Sequence, residues 1–183
     1  MSIDQTTPKP YFLPWLKPSH RTWPEQAVGA SIFLLVSLCF QWLSSWLIQL
    51  SLQGEWIERD FFVSWAFSSI TSQWGWIVCN ILIAAAMWHL WRRHSLKRLK
   101  LELSLFLFQL VLQLGWAFTV YFHESLLALM TLLFLCSNAL LSTLLFWKKE
   151  RLSGKTWVAS VLWTFYAVGI NMALCITNSP RIY

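Results

Sequence analysis

The sequence predicts an all-α integral membrane protein, a bundle of five transmembrane helices, on three observations. Of its 183 residues, 57% are hydrophobic, 12% are charged and 14 are tryptophan, a makeup foreign to soluble domains of this length. The apolar residues are gathered into blocks of about twenty, the length an α-helix needs to cross a bilayer core. The basic residues collect at alternate ends of those blocks, the asymmetry that orients membrane proteins. A soluble helical protein would show polar faces on its outer helices, and these blocks are apolar all round.

The chain divides into an N-terminal segment (1–26), a transmembrane domain (27–178) and a short tail (179–183). The first segment contains KPYFLPWLKP, whose prolines and aromatic rings suit an extended stretch at headgroup depth. It has no apolar core of signal-peptide type. The five blocks are 27–50, 72–91, 103–122, 126–147 and 156–177, and none carries Asp, Glu, Lys or Arg. Lys9, Lys17 and Arg21 precede the first block. Arg92, Arg93, Lys97, Arg98 and Lys100 separate the second and third, and Lys148, Lys149, Arg151 and Lys155 the fourth and fifth. The positive-inside rule therefore places the N-terminus in the cytoplasm and the C-terminus outside, in a membrane of bacterial inner-membrane type. The net charge of +6 follows from this topology, faces anionic headgroups and carries no nucleic-acid signal.

Three connections are short, so consecutive helices pack antiparallel. The stretch 51–71 is longer and contains Trp56, Phe61, Phe62, Trp65 and Phe67. It either folds over the outer mouth of the bundle or forms an interfacial aromatic belt. Cys39, Cys79, Cys136 and Cys175 fall in four different helices without ligand-type spacing, which points to packing, with neither a metal site nor a disulfide.

Polar residues inside the blocks are the next signal, because an amide in hydrocarbon must find a partner. Gln109 and Gln113 are four apart in FQLVLQLGW and so share one helix face. Asn138 and Asn171 are the partners expected for them, as interhelical glue. Trp163, Ala167 and Asn171 also share a face at four-residue steps. Ala167 there either leaves room for a planar ligand against Trp163 or lets two helices approach closely. No intramembrane carboxylate, nucleophile–base pair or metal spacing is present, so no catalytic residue or required cofactor is assigned and proton-coupled transport lacks its usual residue. Haem ligation would fall first to His123, beside Glu124 in an outer turn.

From about residue 56 the chain resembles the TspO/translocator-protein family, the tryptophan-rich sensory proteins and peripheral benzodiazepine receptor homologues. Trp56, Ser64, Trp65, Trp76 and Trp91 fall on that family's conserved-type pattern for the first loop and second helix. Gln109-Leu110-Val111-Leu112-Gln113-Leu114-Gly115-Trp116 is similar to its Q-L-x-L-N-x-x-W. Phe146-Trp147, Arg151-Leu152 and Gly154 match F-W-x-x-x-R-L-x-G, and Trp163, Ala167, Asn171 and Asn178 match W-x-x-x-A-x-x-x-N with a further N seven later. The resemblance implies a five-helix bundle, frequently a homodimer, with a pocket under the first loop for porphyrins, sterols or other flat hydrophobic ligands. Protoporphyrin IX or haem is then the expected ligand. Trp76, Trp163, Ala167, Trp65, Asn80, Trp116 and Gln113 are the candidate ligand-binding residues, and Gln109, Asn138 and Asn171 the structural polar ones.

Departures from the family pattern fall on the pocket side. Phe62-Val63 and Phe67-Ser68 replace the loop's Lys-Pro and Pro-Pro, Asn80 a Tyr, and Gln113 an Asn. Phe118 stands for a Pro, Cys136 for a Trp, and Ala159-Ser160 for Pro-Tyr. Lost prolines straighten the third and fifth helices. The leading functional reading is a membrane receptor or sensor for tetrapyrrole or sterol-like ligands, with a role in their transport or regulation. Its alternatives are a structural or partner-binding membrane protein, with Ser137, Ala139 and Ser142 as a dimer seam, and a light-dependent porphyrin-degrading enzyme using Trp76 and Trp163.

Overall fold

The computed structural model of the chain describes residues 21–52, 69–122 and 124–178. It holds five long helices: α1 (Trp23–Leu52), α2 (Ser69–Arg93), α3 (Lys100–Tyr121), α4 (Ser125–Lys149) and α5 (Arg151–Asn178). A single 3-10 turn (Leu96–Arg98) lies between α2 and α3. All five are long and apolar enough to span a bilayer, and the protein is a multi-pass integral membrane protein of five transmembrane helices. Leu126, Phe134, Leu144, Leu162 and Ile176 stay largely exposed on the outside of the bundle, a surface suited to lipid and costly in water.

The helices close into a ring in the order α1, α2, α5, α4, α3, with α3 returning to α1 and touching α2 across the centre. Neighbours run antiparallel except where the ring closes: α1 and α3 both start at the basic end and run parallel, Phe33 meeting Phe106 and Gln41 meeting Gln113. The Arg21 guanidinium, just before α1, donates to the Trp91 carbonyl near the end of α2. Ser153 near the start of α5 faces His89 near the end of α2, and Cys175 near the end of α5 reaches the Ser125 carbonyl at the start of α4. Every Lys and Arg among the described residues therefore lies at one end of the bundle.

Each helix presents a face that fits this ring. On α1 the buried positions Phe33, Ser37, Gln41, Ser44, Leu47 and Ser51 recur at three- and four-residue steps. Three of the six are serines, which let neighbouring backbones approach where no hydrophobic force drives helices together. Helix α2 buries more of itself than any other described helix, because it packs on α1 and α5 and meets α3 across the ring. In the half nearer the basic end, Phe33, Ile83, Met87, Leu90, Phe106, Phe146 and Trp157 form one apolar cluster. A second, of Trp76, Leu132, Leu135 and Ala167, occupies the other half.

Helix ends at the basic face lie several residues beyond the apolar blocks, and α5 starts at Arg151 where hydropathy suggested 156. Hydropathy stops at the first charge, whereas the backbone ladder continues wherever charges find partners. Here they do: Lys149 pairs with the buried Glu102 carboxylate at 2.6 Å, and Arg93 with Glu150 at 2.6 Å. At the start of α1 the Glu25 carboxylate accepts the Thr22 N–H at 2.9 Å, the return half of a capping box.

The connection between α4 and α5 is the single residue Glu150, and Gly154 makes that turn feasible. A Cβ at Gly154 would sit 2.7 Å from the Trp147 Cα, a backbone atom that cannot rotate away. Gly154→Ala is expected to cost about 1 kcal/mol, at the low end of overpacking penalties, read as a lower thermal midpoint of the purified protein. An unchanged midpoint would show that the α4–α5 elbow is looser than this contact implies.

Candidate functional site

Two sets of side chains meet in the half of the bundle away from the basic end. The first is a junction of three buried amides from three helices. Asn80 on α2 donates through Nδ2 to Gln41 Oε1 on α1 at 2.9 Å, to Gln113 Oε1 on α3 at 3.1 Å and to the Trp76 carbonyl at 3.0 Å. Gln113 Nε2 also donates to Gln41 Oε1 at 2.6 Å, and Gln41 Nε2 passes to Ser45 Oγ at 2.9 Å. Each of these amides is at most 5% exposed. In hydrocarbon an unpaired amide is costly, so the three hold α1, α2 and α3 in one register.

Asn80 and Gln113 thus meet in a helix junction one turn from Trp76, and Gln113 also lines the cleft beside Trp76 and Trp116. Asn80 Oδ1 is the remaining acceptor; it is buried and has no donor among the described residues. The second amide contact lies one turn away, where Asn138 Nδ2 on α4 donates to Gln109 Oε1 at 2.7 Å and to the Leu105 carbonyl at 3.1 Å. Asn171, expected as a partner for the glutamines, bonds within its own helix, donating to the Ala167 carbonyl at 3.0 Å. Gln113 is satisfied from the α1 side of the ring, opposite to α5. Sequence reasoning missed Gln41, the acceptor shared by both other amides; its signal is a Gln near the centre of the Ser-rich block 27–50, whose other Gln, Gln49, lies at the block's end.

The second set is aromatic. Trp76 on α2, Trp116 on α3 and Trp163 on α5 converge from three helices. The Trp76 and Trp116 rings lie 5.3 Å apart and tilted by 33°, and Trp76 meets Trp163 edge-on at 6.3 Å and 88°. Tyr166 extends the series, 5.2 Å from Trp163. Ala167 is buried under this cluster with Leu132 and Leu135. Trp163 fits because residue 75 is Gly: a Cβ there would overlap the Trp163 indole. The indole N–H of Trp116 is buried and has no acceptor among the described residues.

A planar ligand held between two rings needs their planes about 7 Å apart, two van der Waals contacts of ~3.5 Å. Neither pair is open to that extent. Beside them a cleft of about 20 Å³, lined by Gln41, Ser44, Gln73, Trp76, Gln113 and Trp116, has room for about one water. Among the described residues, a large flat ligand would fit between these indoles by parting them. His89 lies thirteen residues beyond Trp76 on α2, roughly 20 Å along the helix axis, too far to serve a macrocycle at this cluster. Trp65 and His123 lie outside the described residues.

Chemically the arrangement offers stacking surfaces, one unused indole donor and one unused amide acceptor. Among the described residues no group of three or more His, Cys, Asp or Glu side chains could hold a metal ion. No curated protein matches the chain significantly. The TspO/MBR family matches residues 32–176, a span that takes in the amide junction and all three tryptophans.

Proposed function

The chain belongs to the TspO/MBR family, and from that premise we propose that it is a membrane receptor for flat hydrophobic ligands of the tetrapyrrole class, bound against Trp76, Trp116 and Trp163. The observation that carries this reading is the convergence of three indoles from three helices beside a polar junction. Aromatic walls with a few placed polar groups are the usual composition of a small-molecule pocket. The spare Trp116 N–H and Asn80 Oδ1 are the polar groups on offer. Under the positive-inside rule the basic end is cytoplasmic and this cluster lies in the outer half of the membrane. A C-terminal reporter active only in the cytoplasm should be silent; activity would reverse that orientation.

The indoles also support a second reading, since they pack on one another: a bundle whose pocket stays shut and whose role is structural or partner-binding. Titration with protoporphyrin IX separates the two, because stacking quenches tryptophan fluorescence. Saturable quenching that is weakened at least tenfold in Trp163→Phe and Trp76→Phe is the expected result. Weak, unsaturable quenching in all three proteins would favour the closed bundle. Loss of porphyrin absorbance under light, only with intact protein, would favour a degrading enzyme.

A further inference from the structure

At the opposite end of the bundle lies a second cavity, an open cleft of about 490 Å³, walled by the start of α1, the end of α2 and the 3-10 turn. Four of its lining residues are arginines and one is an acid. General attraction to anionic lipid needs only scattered charge, and Lys97, Lys100, Lys148, Arg151 and Lys155 supply that outside the cavity. Four arginines instead line one space.

Their settings are particular. Arg21 is fixed by its Nε donating to the Trp91 carbonyl at 3.1 Å, with its guanidinium 3.8 Å over the Trp91 ring. Arg92 lies 5.1 Å over Trp88, and its buried Nε has no acceptor among the described residues. Arg93 is held by Glu150. Arg98 and Arg92 have no carboxylate within ion-pair distance among the described residues. The one acid, Glu25, is engaged at the cap of α1. Ser95, at the head of the 3-10 turn, makes no capping bond with its hydroxyl and faces the same space. His94 is held below its usual pKa, by burial first and then by Lys149, so it presents a neutral ring there.

Arginine forks with spare N–H donors suit an oxyanion with several acceptors and more than one negative charge, which they grip bidentately. We propose that this cavity is a binding site for a phosphate group, with Arg92 and Arg98 as its principal ligands. The phosphate could be carried by a lipid headgroup at the membrane surface or by a soluble phosphorylated compound; the chemistry recognised is the same.

The test titrates three probes into protein in an uncharged detergent at physiological salt: dihexanoyl phosphatidic acid, dihexanoyl phosphatidylglycerol and inorganic pyrophosphate. One-site saturable binding is expected for at least one probe. It should weaken at least tenfold in Arg92→Gln/Arg98→Gln and less than twofold in Lys148→Gln/Lys155→Gln, which removes equal charge outside the cavity. Arg92→Lys/Arg98→Lys keeps the charge but loses the fork, and should fall between. If the glutamine pair does not fold, Arg98→Gln alone and the lysine pair carry the same comparison. Binding by phosphatidic acid or phosphatidylglycerol alone assigns a headgroup, and pyrophosphate binding as tightly as lipid assigns a soluble phosphate. No saturable binding by any probe, or equal weakening in both glutamine pairs, overturns the proposal.

Discussion

Asn80→Ala should lower stability by about 3 kcal/mol, the largest loss expected from any polar substitution in the bundle. The substitution removes three contacts at once, to Gln41, Gln113 and the Trp76 carbonyl. Single interhelical hydrogen bonds in membranes contribute about 0.6 kcal/mol on average and up to about 1.7. The void beside Trp76 adds a packing loss, while Gln41 and Gln113 keep their mutual bond at 2.6 Å and limit the damage. For a chain of this length about 3 kcal/mol corresponds to a midpoint shift of roughly 6–12 °C. A hydrogen-bonded junction and a merely well-filled one are told apart by the triple replacement Gln41→Leu/Asn80→Leu/Gln113→Leu. Removing the three amides together leaves none of them unpaired, so the triple variant should be more stable than Asn80→Ala. If it is instead the less stable of the two, the amides contribute more than mutual satisfaction and the argument from unpaired groups fails.

What could be read from the chain, and what could not, divides along the same physics. The five blocks and the one-sided charge were legible because a bilayer imposes length and sign on each helix. Helix ends were not, since Glu102, Lys149 and Arg93 stop the hydropathy yet stay within the helices as members of ion pairs, Glu150 in the turn serving Arg93. Gln109 with Asn138 was within reach, because adjacent helices joined by a tight turn must face each other. Gln113 with Gln41 was not: the two are 72 positions apart, and only the closing of the ring by α1 against α3 brings them together. Family resemblance pointed to Trp76, Trp116 and Trp163 as a group. That they rest on each other depends on the missing side chain at Gly75, which becomes meaningful only once Trp163 is seen lying over it.

That slot provides a second large effect, of opposite sign in two measurements. Gly75→Ala places a methyl group where the Trp163 indole now lies. In contrast to the backbone clash at Gly154, the obstacle is a side chain, so the ring can swing out of its slot. The unliganded protein should lose about 1–2 kcal/mol, as overpacked sites do. Under the proposed function a flat ligand enters by parting Trp163 from Trp76, whose rings now meet edge-on at 6.3 Å. The liganded state has then already vacated the slot and escapes the penalty. A cost borne only by the closed state shifts the population toward the open one, and each 1.4 kcal/mol is worth tenfold in affinity. Gly75→Ala should therefore bind protoporphyrin IX about tenfold more tightly while melting at a lower temperature. Affinity that falls together with stability would mean that the ligand uses Trp163 where it stands, as a fixed wall, and that the indoles need not part.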